Sequence, residues 1–135
     1  MNILQPPGWV EPRGYSNGIV HDLTVGSRLV FVGGQVGWNA QQQFETDDFA
    51  EQVGQTLKNI VEILKEADAG PEHIARMTWF VVDKQEYLAA LHDVGQHYRT
   101  IIGRHFPCMT AVEVADLIED QARIEIEVTA VVPAK

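Results

Sequence analysis

The chain has one cysteine, Cys108, among its 135 residues. A lone thiol cannot close an internal disulfide, which points to a reducing compartment and an expected cytoplasmic location. Long apolar runs are missing too. No stretch approaches the roughly 20 apolar residues that cross a bilayer, so no membrane partner is expected. The opening residues, MNILQPPGWVEPRGY, carry adjacent prolines and no apolar run after a basic start, so no secretory signal peptide is read there. Positive charge is scarce. Ten Lys and Arg stand against 19 Asp and Glu, a formal net charge of −9. Nucleic acid is normally met with a basic stripe, and without one no nucleic-acid partner is expected. Metal-ligand spacing is also lacking. The five histidines, His21, His73, His92, His97 and His105, form no HxH, HxxxH or HExxH pair. No metal site is expected. No glycine-rich loop has phosphate-binding spacing.

What is present is enough for a core. At 45% hydrophobic, the chain can bury one without cross-links, and its length fits a single domain over residues 1–135. Residues 1–14 read as an irregular arm rich in Pro and Gly. Ile19 to Val25 is a β-prone run, Gly26-Ser27 a turn and Leu29 to Val36 a second strand, which predicts a hairpin. Gly33-Gly34 inside that strand signals a bulge or a close approach to the backbone. Asp48 and Glu51 have capping-box spacing before a helix that runs to about Asp68. Its apolar stripe is Phe49, Val53, Leu57, Ile60 and Leu64, and Gly70-Pro71 stops it. Ile74 to Val82 is a buried strand. Asp83 and Glu86 open a second helix with Tyr87, Leu88, Leu91, Val94, Tyr98 and Ile101 on one face, ending at Gly103. Thr110 to Val114 and Arg123 to Val132 complete a β-β-α-β-α-β-β order. This is an α+β sandwich with two helices on one face of a mixed sheet. Helices can cover only that face, while several strands are apolar on both. The other face is therefore expected to lie against further subunits in a closed oligomer.

Few side chains carry chemistry. Cys108 in RHFPCMTAVEV has His105 three residues upstream, but the histidine precedes Pro107 in a loop and nothing aligns the two. A catalytic thiolate needs such a base, so the stretch reads as pocket wall. Glu125 and Glu127 alternate with Ile124, Ile126 and Val128, as in a strand with one wet face. Trp38, just after the glycine pair, is either a pocket wall or an exposed loop aromatic.

Five segments, in order, resemble one family. GYSNGI is similar to its PYS-A- motif and FVGGQVG to its SGQ strand. EQVGQTLKNIVEILKEA resembles its NI--IL helix, FPCMTAVEVADL its PARTxVxVxxL segment, and RIEIEVTAV its vEIEaiA strand. This is the RidA family, also called YjgF/YER057c/UK114, and the resemblance runs from Tyr15 to Val132. It implies a chorismate-mutase-like fold of the bacillus type and a homotrimer with small-molecule clefts between adjacent subunits. It also implies hydrolysis of reactive enamines or imines to a keto acid and ammonia, with no metal or organic cofactor.

Carried over by position, Glu125 matches the glutamate that positions the attacking water and Tyr15 the cleft tyrosine. Imine hydrolysis needs such help: a water aimed at carbon and a proton delivered to nitrogen. Gly34 matches the glycine of SGQ, whose backbone could contact substrate, with a bulge as the alternative. Tyr87 matches an aromatic that lines the neighbour's cleft, with helix packing as the alternative. The departures are as informative. Met109 stands where the family has the arginine that grips the substrate carboxylate, and Cys108 stands where it has a small residue. Gly33 replaces its serine, and Gly95 its helix asparagine. Losing a charge-assisted hydrogen bond costs roughly 10- to 100-fold in affinity. The expected activity is therefore deamination of an enamine or imine other than a small 2-imino acid. The alternative is a non-catalytic binding or regulatory trimer that keeps the clefts. A substitute cation would have to come from Arg13, Arg28, Arg76, Arg99, Arg104 or Arg123, none of which the sequence places.

Overall fold

A computed structural model describes residues 1–135. Its elements are β1 (Asn2–Leu4), β2 (Gly18–Val20), β3 (Arg28–Val36), α1 (Phe49–Lys65), β4 (Ile74–Val81), α2 (Lys84–Ala89), α3 (Leu91–Ile101), β5 (Cys108–Glu113) and β6 (Ile124–Val132). Four strands form a mixed sheet in the order β3-β6-β4-β5. Only β4 and β5 are parallel, and α2 and α3 form the crossover between them. The architecture is α+β, as expected.

Helix α1 starts where its cap allows. The Asp48 carboxylate accepts from the Glu51 N–H at 3.0 Å. Its stripe reaches full burial at Val53, Leu57, Ile60 and Leu64. These side chains meet Ile74, Met77 and Trp79 of β4 and Ile124, Ile126 and Val128 of β6, which alternate inward along their strands. A second buried device is polar. The fully buried Gln52 side chain donates to the carbonyls of Thr46 and Gln121, both at 3.0 Å, and accepts from the Arg123 N–H at 2.9 Å. It fixes the start of β6, two residues before Glu125.

The other face of the sheet carries Leu29, Phe31 and Val112, of which Phe31 is 73% exposed. Both β3 and β5 are edge strands. Helices lie on one face only, which leaves these apolar side chains exposed among Arg76, Thr78, Glu127 and Thr129, with two unpaired strand edges.

Three features depart from expectation. The arm is not wholly irregular, because Asn2–Leu4 pairs antiparallel with Gly18–Val20. The hairpin between the first two predicted strands does not form. β2 takes β1 as its partner, and β3 pairs instead with β6, which buries its inward row against α1. The second helix is two helices broken at Ala90 (φ −102°, ψ 8°). The short α2, capped by Asp83, sets Tyr87 edge-on to Phe49 and Trp79 at 6.0 and 6.3 Å. α3 turns Val94 and Tyr98 into the core. One straight rod would have to serve both directions.

Candidate functional site

The residues picked out in the sequence gather in two places. The first is a niche of about 160 Å3 on the open face, lined by Gly34, Val36, Trp38, Ile118, Glu119 and Glu125. Glu125 lies opposite Val36 on β3 and Phe80 on β4. The strand register slips between Val32 and Gln35, so Gly33-Gly34 is a bulge. It is also a close approach. A Cβ on Gly34 would run into the Glu125 carboxylate, with Cδ only 2.9 Å away. Glycine is there because the carboxylate occupies that space. Trp38 is held at the rim. The Asn59 side-chain amide donates to the carbonyls of Trp38 at 2.8 Å and Val36 at 3.1 Å, and the indole packs on Phe44.

Glu125 has no cation of its own. The ion pairs of the chain are Lys65–Glu62, His73–Glu72 and Arg123–Glu86. The carboxylate is therefore free to accept from a water or a ligand.

The second place is the start of β5, where two cavities meet. One, of about 510 Å3, lies on the open face and includes Tyr15, Ser16, Arg76, Cys108, Met109 and Thr110. The other, of about 500 Å3, lies on the helix face and includes Arg13, Tyr15, Trp79, Tyr87, Arg99 and Met109. Tyr15 and Met109 belong to both and form the wall between them. Cys108 and Met109 point to opposite faces because they are consecutive in a strand. The arm is stitched to this point. Ser16 donates its hydroxyl to the Phe106 carbonyl at 2.6 Å and its N–H to the Pro107 carbonyl at 3.1 Å.

Cys108 has no base. His105 donates its Nε2–H to the Ile74 carbonyl at 2.6 Å and does not line the cysteine's cavity. Tyr87 packs against Trp79, the helix-packing alternative, and also lines a cavity of its own chain. Burial pushes its phenol above the ordinary value, so the hydroxyl is a proton donor throughout the neutral range.

Glu125 and Tyr15, the expected catalytic pair, do not meet within one chain. Neither the niche nor the two cavities at β5 include both. Gly34 and Trp38 go with Glu125, while Met109, Cys108 and Tyr87 go with Tyr15. Sequence reasoning names Arg13 and Arg99 among six candidate cations without placing them, and passes over Trp79 as a lining residue. The usable signal was Gly95, four residues before Arg99 and so on the same face of α3.

The family model described as endoribonuclease L-PSP matches residues 11–132. A RutC family protein from Leuconostoc mesenteroides subsp. cremoris is 34% identical over 122 residues, covering 86% of this chain and 85% of that one. The human 2-iminobutanoate/2-iminopropanoate deaminase is 30% identical over 132 residues, covering 97% of this chain and 88% of its own. Among solved structures, the Yersinia pestis protein YyfB, described as a protein of unknown function of the conserved Rid family, superimposes with a TM-score of 0.83. It is 27% identical and covers 96% of both chains. The chain belongs to the RidA (YjgF/YER057c/UK114) family, and its fold is the chorismate-mutase-like fold of that family.

Proposed function

We propose that this protein hydrolyses a reactive enamine or imine to a carbonyl compound and ammonia, in clefts between adjacent subunits of a homotrimer. The observation that carries the reading is the free Glu125 carboxylate laid against Gly34. It has the position and the open hydrogen-bonding capacity of a group that aims a water. The exposed apolar row on the open face supports the trimer, because association would cover it and bring one chain's Glu125 niche toward a neighbour's Tyr15. Deamination by relatives such as the human enzyme supports the reaction class.

The chemistry needs no redox step. Glu125 accepts a proton as its water adds to the C=N carbon, giving a tetrahedral amino alcohol. The nitrogen takes up a proton, the C–N bond breaks, and ammonia leaves as the C=O bond forms. Water and imine give carbonyl compound and ammonia, which balances. The Tyr15 hydroxyl orients the nitrogen or the leaving ammonia, and the Gly34 backbone lies beside the reacting carbon. Met109, Cys108, Tyr87 and Trp38 shape the cleft. With methionine at position 109, small 2-imino acids are poor substrates.

A second reading is a binding or regulatory trimer without turnover. The missing hydroxyl at Gly33 and the missing guanidinium at Met109 favour it. One experiment separates the two. An amino-acid oxidase generates imines from acidic, apolar and aromatic amino acids, and semicarbazide traps whatever survives. Hydrolysis should lower trapped imine for some side chains, and Glu125→Gln should reduce the rate about 100-fold or more with the fold intact. No effect on any imine would leave the binding reading.

A further inference from the structure

The cavity on the helix face has chemistry that the imine reading does not use. The protein carries a net charge of −9, yet this hollow is lined by two arginines, Arg13 and Arg99, and by no acid. Neither is engaged in an ion pair. Arg99 is placed by a gap in the helix surface. A Cβ on Gly95 would stand 3.2 Å from its Nη1 and 3.9 Å from its Cζ, so the guanidinium lies over the glycine. A methyl at 95 would make it give by a few tenths of an ångström, and a larger side chain would compete for its place. The third feature is Trp79. Its side chain is buried at 2% exposure, and its Nε1–H is the only buried side-chain donor without an acceptor. Its indole contributes an aromatic part of the cavity wall. The rest of the lining is apolar or aromatic and includes Tyr87, Leu91, Phe106 and Met109. A volume of about 500 Å3 suits a drug-sized or aromatic molecule. A three-carbon acid would leave most of it empty.

We infer that this cavity selects the substrate. It takes a carboxylate joined to a bulky apolar or aromatic group, and Arg99 on α3 supplies the carboxylate grip that position 109 lacks. The guanidinium fork matches a carboxylate, and the apolar wall matches the body behind it. The inference rests on the imine reading for the word substrate, but its geometry is that of a binding site and can be tested without turnover.

The probes are the stable 2-oxo acids phenylpyruvate and pyruvate, titrated calorimetrically into wild-type protein, Arg99→Gln and Gly95→Ala. Phenylpyruvate should bind at least tenfold more tightly than pyruvate. Arg99→Gln should weaken it about tenfold, the low end expected for a solvent-accessible charged hydrogen bond. Gly95→Ala should weaken it in the same direction by moving the guanidinium. Raised salt should narrow the gap between wild type and Arg99→Gln. Equal affinity for the two acids, no binding, or phenylpyruvate binding unchanged in Arg99→Gln would each overturn the inference. The imine assay on the same wild-type protein keeps the two claims apart. Arg99-dependent binding with no imine turnover sinks the hydrolase and leaves the site. Turnover with Arg99-independent binding does the reverse.

Discussion

The niche around Glu125 and the cavity around Arg99 differ in almost every physical respect. The niche holds about 160 Å3 and centres on one unpaired acid against a glycine bulge. The cavity holds about 500 Å3 and has two unpaired cations over an apolar wall. At Glu125 and Gly34 the chain keeps the residues that its family resemblance assigns to positioning water and contacting substrate through the backbone. At Met109 it departs from the arginine assigned to gripping the carboxylate, and at Gly95 from a helix asparagine. On the proposed reading, the contrast teaches that the two tasks lie on different elements of this fold. The acid sits on the open face of a central strand, where the register of β6 fixes it. The proposed grip sits on α3, outside the sheet.

The contrast can be broken at the niche first. Gly34 does not have a positive φ, so alanine is allowed by the backbone. The added methyl would displace the Glu125 side chain, whose carboxylate and Cγ are the nearest atoms. Gly34→Ala should lower kcat about 10- to 100-fold, because small misplacements of a catalytic group cost that much. KM, phenylpyruvate affinity and stability should hardly move, as read by steady-state kinetics, calorimetry and urea unfolding. If binding in the cavity falls in step with kcat, the two regions are one site and the contrast is wrong. A smaller effect is expected at the cavity. Met109→Arg restores the guanidinium at the start of β5. It should raise kcat/KM for small 2-imino acids about tenfold relative to bulky ones, the low end for one charge-assisted hydrogen bond. Unchanged preference would mean that position 109 no longer faces substrate.

The two regions were not equally legible in the sequence. The α1 stripe, the Asp48 and Asp83 caps and the alternation of β6 are periodic or local signals, and the structure reproduces them. Gly33-Gly34 was legible as a bulge or a close approach, and it is both. What sequence periodicity could not convey is which long side chain folds back over which glycine. Six arginines were visible, and only tertiary placement puts Arg76 in one cavity, Arg13 and Arg99 in the other, and Arg99 over Gly95. The arm strand was missed because three residues carry no periodicity, and its partner β2 was assigned to β3 on proximity alone. The break at Ala90 has no proline or glycine to announce it, since it comes from two packing directions that only the folded core imposes.

The smallest effect tests whether the cavity floor is also core. Tyr98 is 8% exposed, lines the cavity, stacks on Phe106 at 5.7 Å and donates its hydroxyl to the His105 carbonyl. Tyr98→Phe removes that bond and should cost about 1 kcal/mol in urea unfolding at neutral pH. Ligand affinity should stay within about twofold, because the ring remains. The pH dependence adds a sharper sign. Burial raises the Tyr98 phenol above its ordinary value, as it does for Tyr87. Below about pH 10 both folded and unfolded chains keep these protons, and the contribution is constant. As pH rises past 10 the unfolded chain releases them while the folded chain holds on, so stability falls. For the strongly raised Tyr98 the slope approaches about 1.4 kcal/mol per pH unit, and Tyr87 adds a contribution of the same sign. Tyr98→Phe should remove one share of that alkaline slope and leave the Tyr87 share. An unchanged slope would mean that the Tyr98 hydroxyl is wet, and that the floor of the cavity, like the niche, is surface and not core.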